Sequence, residues 1–393
     1  YDHLIYYNYL NKEFDSAIYF SDLLVEDGLE RKDTLQIAKG YYRKAKSFFY
    51  QNDRINELKN TYQSQRYYLL GKDSINAGKR WLELSIAQTR LGDFPGSQNS
   101  AVKALSLLEH SKDSFYIAST YNNLAATYRK LNDLDESIQE YNHALRFVNS
   151  RRDSLTVLNN IANTYATKKE FDKALNIFEL ILPLANERNS INRIKDNYYF
   201  TKWLSGESIA SDSLKSVMIS RSANNDLTGL LASYDHLVEV NEKDSPEKAL
   251  QYAKAYYETA QKLNSVTDEI SALTYLVRLS PSNKIKAYAL ENIRLNDSLI
   301  NSRDNVKNLF AKINYDEEKK LEEIDQNYNN KLEKIEQEKI TKLEEVNQLK
   351  EERIVEEQKE QERLDQVHKE KIAKEQQRRI KEKELKKTKT EEL

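Results

Sequence analysis

The stretch that decides the fold is residues 121–144, YNNLAATYRKLNDLDESIQEYNHA. Its large apolar residues recur at three- and four-residue spacing, which places them on one face of a helix. The small residues Ala125 and Ser137 stand where a second helix can approach closely. Asn132-Asp133 is typical of a helix end, because asparagine tolerates left-handed backbone. The stretch therefore predicts two antiparallel helices, here called helix A and helix B.

The same pattern recurs along the chain. In the next copy the small positions are Ala162 and Ala174. A short polar signature also repeats, each copy 40 residues after the last: Lys32-Asp33-Thr34, Lys72-Asp73-Ser74, Lys112-Asp113-Ser114 and Arg152-Asp153-Ser154. Lysine or arginine, aspartate and a hydroxyl residue together predict a loop and an N-cap ahead of each helix A. Because one helix pair cannot bury its own apolar face, the period predicts stacked pairs.

The pattern from Tyr121 to Ala144 resembles the tetratricopeptide repeat. The resemblance covers about the first 300 residues, and it implies an all-α solenoid of helical hairpins. The clearest repeats are 38–71, 78–111, 118–151 and 155–188, and a degenerate array follows over 190–300. The unit of 40 residues is longer than the usual length of about 34, so either the helices or the connections between them must be longer.

A long, charged helix is predicted over residues 301–393, since no Gly or Pro occurs after Ser280-Pro281-Ser282-Asn283. Apolar residues recur there every 11 positions, at about 3.67 residues per turn, and this spacing predicts a straight or slightly right-handed bundle. Two alternatives stay open. The helix either pairs with a second copy as a coiled coil through residues 310–360, forming a homodimer, or stands alone through i,i+4 ion pairs. The predicted seam is Phe310, Ile313, Leu321, Ile324, Leu332, Ile335, Leu343, Val346 and Ile354.

A second resemblance lies at the junction of array and helix. Leu295-Asn296-Asp297-Ser298-Leu299, Arg303, Lys307-Asn308, Phe310-Ala311 and Ile313-Asn314-Tyr315 are similar to the segment that closes the repeat array in Bacteroidetes sensory regulators. Those proteins continue into a membrane helix, a coiled coil and a histidine kinase or helix-turn-helix output. This sequence has no membrane helix and no output domain. In those proteins the array is extracytoplasmic, so the resemblance implies the periplasmic face of a membrane-associated regulator, and the departure from their plan leaves a cytoplasmic location open.

Composition disfavours several classes of function. The net charge of -2, from 61 basic and 63 acidic residues, provides no field for direct binding of nucleic acid. The five histidines are scattered without metal-ligand spacing, cysteine is absent, and only 8 Gly are present, so neither metal nor nucleotide cofactor is predicted. The sequence shows no convincing catalytic motif. It also contains no apolar run of about 18 residues, the length needed to span a membrane. We therefore expect a protein that is not an enzyme.

Binding is expected on the helix A side of the stack. The predicted peptide-binding residues are Asn122, Asn123, Arg129, Asn159, Asn160 and Asn163. An asparagine amide donates and accepts hydrogen bonds, so it can hold the backbone of an extended peptide. In kinesin light chain and similar proteins an equivalent asparagine clamps peptide, and the resemblance implies that role for Asn123 and Asn160. The alternative is a hydrogen bond between helices of the scaffold.

These observations predict a peptide- or protein-binding module that couples its partner to a dimerising helix, within a signalling or transcription-regulatory protein. The alternative is a structural scaffold with no regulated ligand groove. The two differ in whether occupancy of the helix A side changes association of the C-terminal helix.

Overall fold

A computed structural model describes residues 1–109, 111–207 and 211–391. Within the last range it describes no side chain at 313, 314, 316–318, 320–322, 324, 325, 328 and 384–391. The described residues form α-helices, one 3-10 helix and no strand. The α-helices are α1 Asp2–Leu10, α2 Phe14–Glu30, α3 Thr34–Tyr50, α4 Arg54–Leu70, α5 Ser74–Leu91, α6 Phe94–Leu108, α7 Ser114–Leu131, α8 Leu134–Phe147, α9 Arg151–Thr167, α10 Phe171–Ile181, α11 Arg188–Leu204, α12 Ser211–Ala223, α13 Leu227–Asn241, α14 Pro246–Lys262, α15 Val266–Leu279 and α16 Ser282–Glu391, and the 3-10 helix η1 is Leu182–Leu184.

Contacts divide the chain into a first unit, Tyr1–Phe310, and a second unit, Ala311–Leu393. In the first unit each helix packs on the next, and odd-numbered helices from α3 to α15 act as helix A of a pair. The pairs continue past residue 190 as α11 with α12 and α13 with α14. This architecture confirms the predicted all-α solenoid. The repeat of 40 residues is long because its helices are long. Helices α3, α4 and α5 have 17 or 18 residues, and the connections between them have only three.

The recurring aspartates cap the A helices as predicted in the first two copies. Asp33 accepts from the backbone N–H of Gln36 at 3.0 Å, and Asp73 accepts from that of Asn76 at 3.0 Å. Asp113 takes the N-cap position of α7 without a side-chain cap bond. The fourth signature differs, because Arg152-Asp153-Ser154 lies inside α9. Ser150 caps that helix by accepting from the Asp153 N–H at 3.0 Å, so the helix begins three residues earlier than the signature predicted.

The turns from helix A to helix B use left-handed backbone. Gly92 has φ 77° and Asn132 has φ 67° at the C-caps of α5 and α7. Lys12 and Lys169 occupy matching turns at φ 61° and 62°. The absence of a side chain at Gly92 also leaves room for the guanidinium of Arg303, because an added Cβ would lie 3.0 Å from its Nη2 atom.

The core of the first unit runs along the seams between helices. The small residues Ala125, Ser137, Ala162 and Ala174 are all fully buried, which agrees with the close approach predicted for them. Beside Ala162 and Ala174 lie Phe178 and Ile181 of α10 and Ile194 of α11, also fully buried. Each apolar cluster therefore joins one pair to the next.

The start of α16 packs on α15 and also reaches α5. Leu295 joins the cluster built by α13, α14 and α15. Asn292 Nδ2 donates to the carbonyl of Ile270 at 3.0 Å. Further along, Arg303 Nε donates to the carbonyl of Leu91 at 3.1 Å, and Val306 is fully buried. The Leu91 carbonyl is one of the four that end α5 without a helical partner, so Arg303 caps α5 from 212 residues away.

The second unit is the continuation of α16. Of the predicted seam, Leu332, Ile335, Leu343, Val346 and Ile354 are 45–62% exposed. The side chains of Ile313, Leu321 and Ile324 lie outside the described residues, and Phe310 is half-buried at the end of the first unit. Ion pairs along the helix include Arg353 with Glu357 at 3.5 Å and Arg379 with Glu375 at 3.3 Å. No helix among the described residues has the length and hydropathy needed to cross a bilayer.

The seam between α9 and α10 provides a test of the packing. Substituting the fully buried Ala162 by Leu should lower the free energy of unfolding by about 1–3 kcal/mol, because the larger side chain overpacks the seam. Urea unfolding followed by circular dichroism measures the change. Thr167→Leu, exposed on the same helix, should stay within about 0.5 kcal/mol of the unaltered chain. Equal effects of the two substitutions would contradict the packing described.

Candidate ligand-binding face

The A helices form one face of the array, which we call the A-helix face and define as the surface of α3, α5, α7, α9, α11, α13 and α15. Successive A helices contact each other, as α5 does α7 and α11 does α13. Side chains at the same position of neighbouring repeats therefore come within hydrogen-bonding distance across this face.

A polar ladder ties the A helices together. Asn123 Nδ2 donates to Ser85 Oγ at 2.7 Å, Asn160 Nδ2 to Asn122 Oδ1 at 3.1 Å, and Asn197 Nδ2 to Asn159 Oδ1 at 3.0 Å. The partners in each case are 38 residues apart. The ladder fits the scaffold alternative for these amide groups. Each amide carries two donors and an acceptor, so each has capacity beyond its bond in the ladder.

The predicted peptide-binding residues fall into three groups. Asn122 and Asn123 line a cavity, and Asn160 is half-buried beside Asn122. Asn159 is 1% exposed, and Asn163 is half-buried. Arg129 turns to helix B, where burial raises the pKa of Tyr141 while the charge and hydrogen bond of Arg129 oppose that rise. The structure thus joins Asn122 and Asn160 directly, while Asn123 bonds to Ser85, Asn159 bonds to Asn197 and Arg129 lies against Tyr141.

The central cavity has a volume of about 480 Å³. It lies between α5, α7 and α9, beside the connection from α8 to α9. Asp153 is the charged residue of its lining, and the other polar groups are hydroxyls and amides. The lining residues are Ile86, Phe115, Ala118, Ser119, Asn122, Asn123, Val148, Asn149, Ser150, Asp153, Thr156 and Val157. Neutral donors and acceptors beside the exposed ring of Phe115 suit a main chain with an apolar side chain.

A second cavity, called the Phe49 cavity, has a volume of about 310 Å³. It shares Ile86, Phe115 and Ser119 with the central cavity, so the two spaces adjoin. Its other lining residues come from α3, α4, α5 and α7 and are Tyr42, Ala45, Lys46, Phe49, Glu57, Thr61, Leu82, Glu83, Ala87, Arg90 and Tyr116. Burial raises the pKa of the Glu57 carboxyl, although Arg54 opposes that shift.

A third cavity of about 840 Å³ lies between α11, α13 and α15 and is acidic. Tyr275 Oη lies 2.9 Å from Asp235 Oδ1 and 3.1 Å from Glu239 Oε1, so two carboxylates share its one proton. Burial raises the pKa of both carboxyl groups. Arg278 pairs with Glu242 at 3.1 Å at the edge of the cavity. The third cavity is therefore acidic, whereas two cations and two carboxylates line the Phe49 cavity.

Chemistry other than binding has little support in the described residues. No group of three or more histidine, cysteine or acidic side chains there is arranged to hold a metal ion. His236 stacks on Phe200 at 3.9 Å between ring centroids and lies 3.5 Å from Asp196, within a buried ion pair of Asp196 with Arg221. His110 lies outside the described residues.

Sequence reasoning missed the charged cavities. Lys46, Arg90 and Asp235 each lie on helix A, but the asparagine pattern does not extend to them. A signal was present in the spacing. Lys46 and Glu83 are 37 residues apart and pair at 3.3 Å, the charged counterpart of the amide ladder.

Comparisons with known proteins support the fold. Residues 116–187 match the family model described as tetratricopeptide repeat. No curated protein matches the sequence. The apo form of RapI superposes with a TM-score of 0.56 at 12% identity, over 66% of this chain and 96% of that one. A Rap protein complexed with competence and sporulation factor gives a TM-score of 0.54 at 12% identity, over 76% of this chain and 88% of that one.

At 12% sequence identity these two structures support the fold of this chain but not its function. The array has the fold of tetratricopeptide-like helical repeat proteins, and residues 116–187 match that family's model.

Proposed function

We propose that the chain is a non-enzymatic module that binds an extended peptide or protein segment on its A-helix face, across the central cavity. The observation that carries the proposal is the lining of that cavity, where Asn122, Asn123 and Ser119 surround space beside the exposed ring of Phe115. A related Rap protein was solved with competence and sporulation factor. At 12% identity that likeness carries the fold alone, so the proposed ligand rests on this chain's own cavities.

The second part of the proposal concerns the C-terminal helix. We infer that it pairs with a second copy through the seam and couples ligand binding to a signalling or transcriptional output, as the resemblance to Bacteroidetes regulators suggests. The supporting observation is the exposure of Leu332, Leu343 and Ile354, spaced 11 residues apart on one helix. Exposed apolar residues in such a regular stripe are typical of a helix that has a partner.

A purely structural scaffold is the second candidate. It is favoured by the polar ladder, because Asn123, Asn160 and Asn197 already donate to the neighbouring helix. A scaffold would need these bonds whether or not a ligand binds. The two candidates differ in what happens when the central cavity is blocked.

Selection of random peptides displayed on phage against the full chain tests the binding function. We expect enrichment of peptides that bind, and Ser119→Arg should weaken their binding at least about tenfold, or about 1.4 kcal/mol, because the arginine fills the central cavity. Ser106→Arg, exposed on α6, is the matched control and should leave binding unchanged. Calorimetric titration measures both. If no peptide is enriched, or if Ser119→Arg binds normally, the scaffold candidate stands.

The double change Asn123→Ala plus Asn160→Ala separates clamping from scaffolding. A clamp predicts loss of the selected peptides with a normal helical spectrum. Unchanged capture by a normally folded double variant would leave these asparagines as scaffold residues.

Sedimentation velocity on the full chain tests the seam. We expect twice the mass of one chain, and Ile335→Glu plus Leu343→Glu should yield single chains, because four charges would be buried in the dimer. The control replaces Val355, which is 48% exposed but lies off the seam, by Glu and should leave the dimer intact. A single-chain mass for the unaltered protein would remove the dimer from the proposal.

A further inference from the structure

Cations crowd the ring of Phe49. The guanidinium carbon of Arg54 lies 4.8 Å from the ring centroid, that of Arg90 lies 5.6 Å away, and Lys46 Nζ lies 5.9 Å away. The three come from different helices, with Lys46 on α3, Arg54 at the start of α4 and Arg90 at the end of α5. An aromatic ring attracts a cation through its quadrupole, but it does not neutralise the charge.

The carboxylates nearby do not balance these cations. Glu57 pairs with Arg54 at 2.8 Å. Glu83 pairs with Lys46 at 3.3 Å and with Arg80 at 3.2 Å. Four cations therefore share two carboxylates. Among the residues that the structure describes, no carboxylate lies within ion-pair distance of Arg90.

The charges around Arg90 act on its guanidinium. Burial and the charge of Arg54 lower the pKa of the Arg90 guanidinium, although Glu57 opposes them. An arginine stays protonated at physiological pH. Arg90 is thus a permanent cation that lines the cavity, is exposed to solvent and has no carboxylate partner in the described part of the chain.

The shape of the Phe49 cavity fits a side chain. Glu57 and Thr61 of α4 are among its lining residues, so the cavity extends between α3 and α5 to the layer of helix B. It adjoins the central cavity through Ile86, Phe115 and Ser119. A peptide lying across the central cavity can therefore direct one side chain against Phe49.

We propose that the Phe49 cavity binds the carboxylate of an aspartate or glutamate side chain of the peptide, held by Arg90 with Lys46. The inference rests on the proposed peptide-binding function and specifies its ligand as an acidic peptide. A guanidinium matches a carboxylate through two parallel hydrogen bonds. Glu57 and Glu83, which also line the cavity, are already paired with Arg54 and Lys46, so an incoming carboxylate is directed to Arg90.

The phage selection provides the probe. We expect aspartate or glutamate to be enriched at one position of the recovered peptides. The tightest of them, synthesised with an acetylated N-terminus and an amidated C-terminus, should bind about tenfold more weakly when that residue is replaced by its amide, or about 1.4 kcal/mol. In the Arg90→Gln chain the acidic and amide peptides should bind equally, because the partner of the carboxylate is gone.

Two further variants keep the test specific. Arg90→Lys retains the positive charge but cannot form the two parallel hydrogen bonds of a guanidinium. It should therefore show part of the preference for the acidic peptide that Arg90→Gln loses. Arg278→Gln removes a cation from the same face at α15 and should leave the full preference. Normal circular dichroism and thermal unfolding are required of every variant.

The outcomes distinguish failure of the proposed carboxylate site from failure of the proposed peptide-binding function. Failure to recover any peptide overturns both. Recovered peptides without an acidic residue, an unchanged preference in Arg90→Gln, or an equal loss in Arg278→Gln overturn the carboxylate site and leave peptide binding standing. Binding that requires a free C-terminal carboxylate, and is lost on amidation, overturns the assignment to a side chain.

Discussion

The array depends on close contact between small residues at the helix seams. Ala125, Ser137, Ala162 and Ala174 have no exposed surface, and they let large neighbours such as Tyr141 and Phe178 fill the space between pairs. One pair has nothing to cover its outer apolar surface, so each pair is stable only beside another. The positions of the A helices, and hence of every cavity on their face, follow from this packing.

Polar groups on the A-helix face serve two purposes. The ladder of Ser85, Asn122, Asn123, Asn159 and Asn160 satisfies amides that would otherwise be costly to place between helices. At the same time it leaves hydroxyl and amide groups at the edge of the central cavity. The charged cavities at either end change the electrostatic character along the face while the underlying helix packing stays the same. Specificity for a ligand can therefore vary without altering the fold.

Much of the fold could be predicted from the sequence because it depends on residue patterns within single repeats. Helical spacing, small residues at seams and left-handed turns at Gly92 and Asn132 are each visible within one repeat. The candidate binding site was harder to predict from the sequence than the fold. The asparagines were found because they recur, but their bonds across 38 residues depend on how the pairs stack. Arg129 is predicted from the sequence to bind peptide, but its contact with Tyr141 depends on how α7 packs on α8, and the excess of cations at Phe49 arises only when α3, α4 and α5 meet.

The hydrogen bond from Arg303 to the carbonyl of Leu91 has a consequence for how this protein can evolve. An open solenoid can gain or lose a repeat by duplication or deletion, since each pair contacts only its neighbours. Here α16, the second helix of the last pair, must meet the end of α5, so inserting or removing a pair between them would carry Arg303 away from its acceptor. The number of repeats in this part of the chain is therefore constrained by closure, as the number of blades is in a propeller.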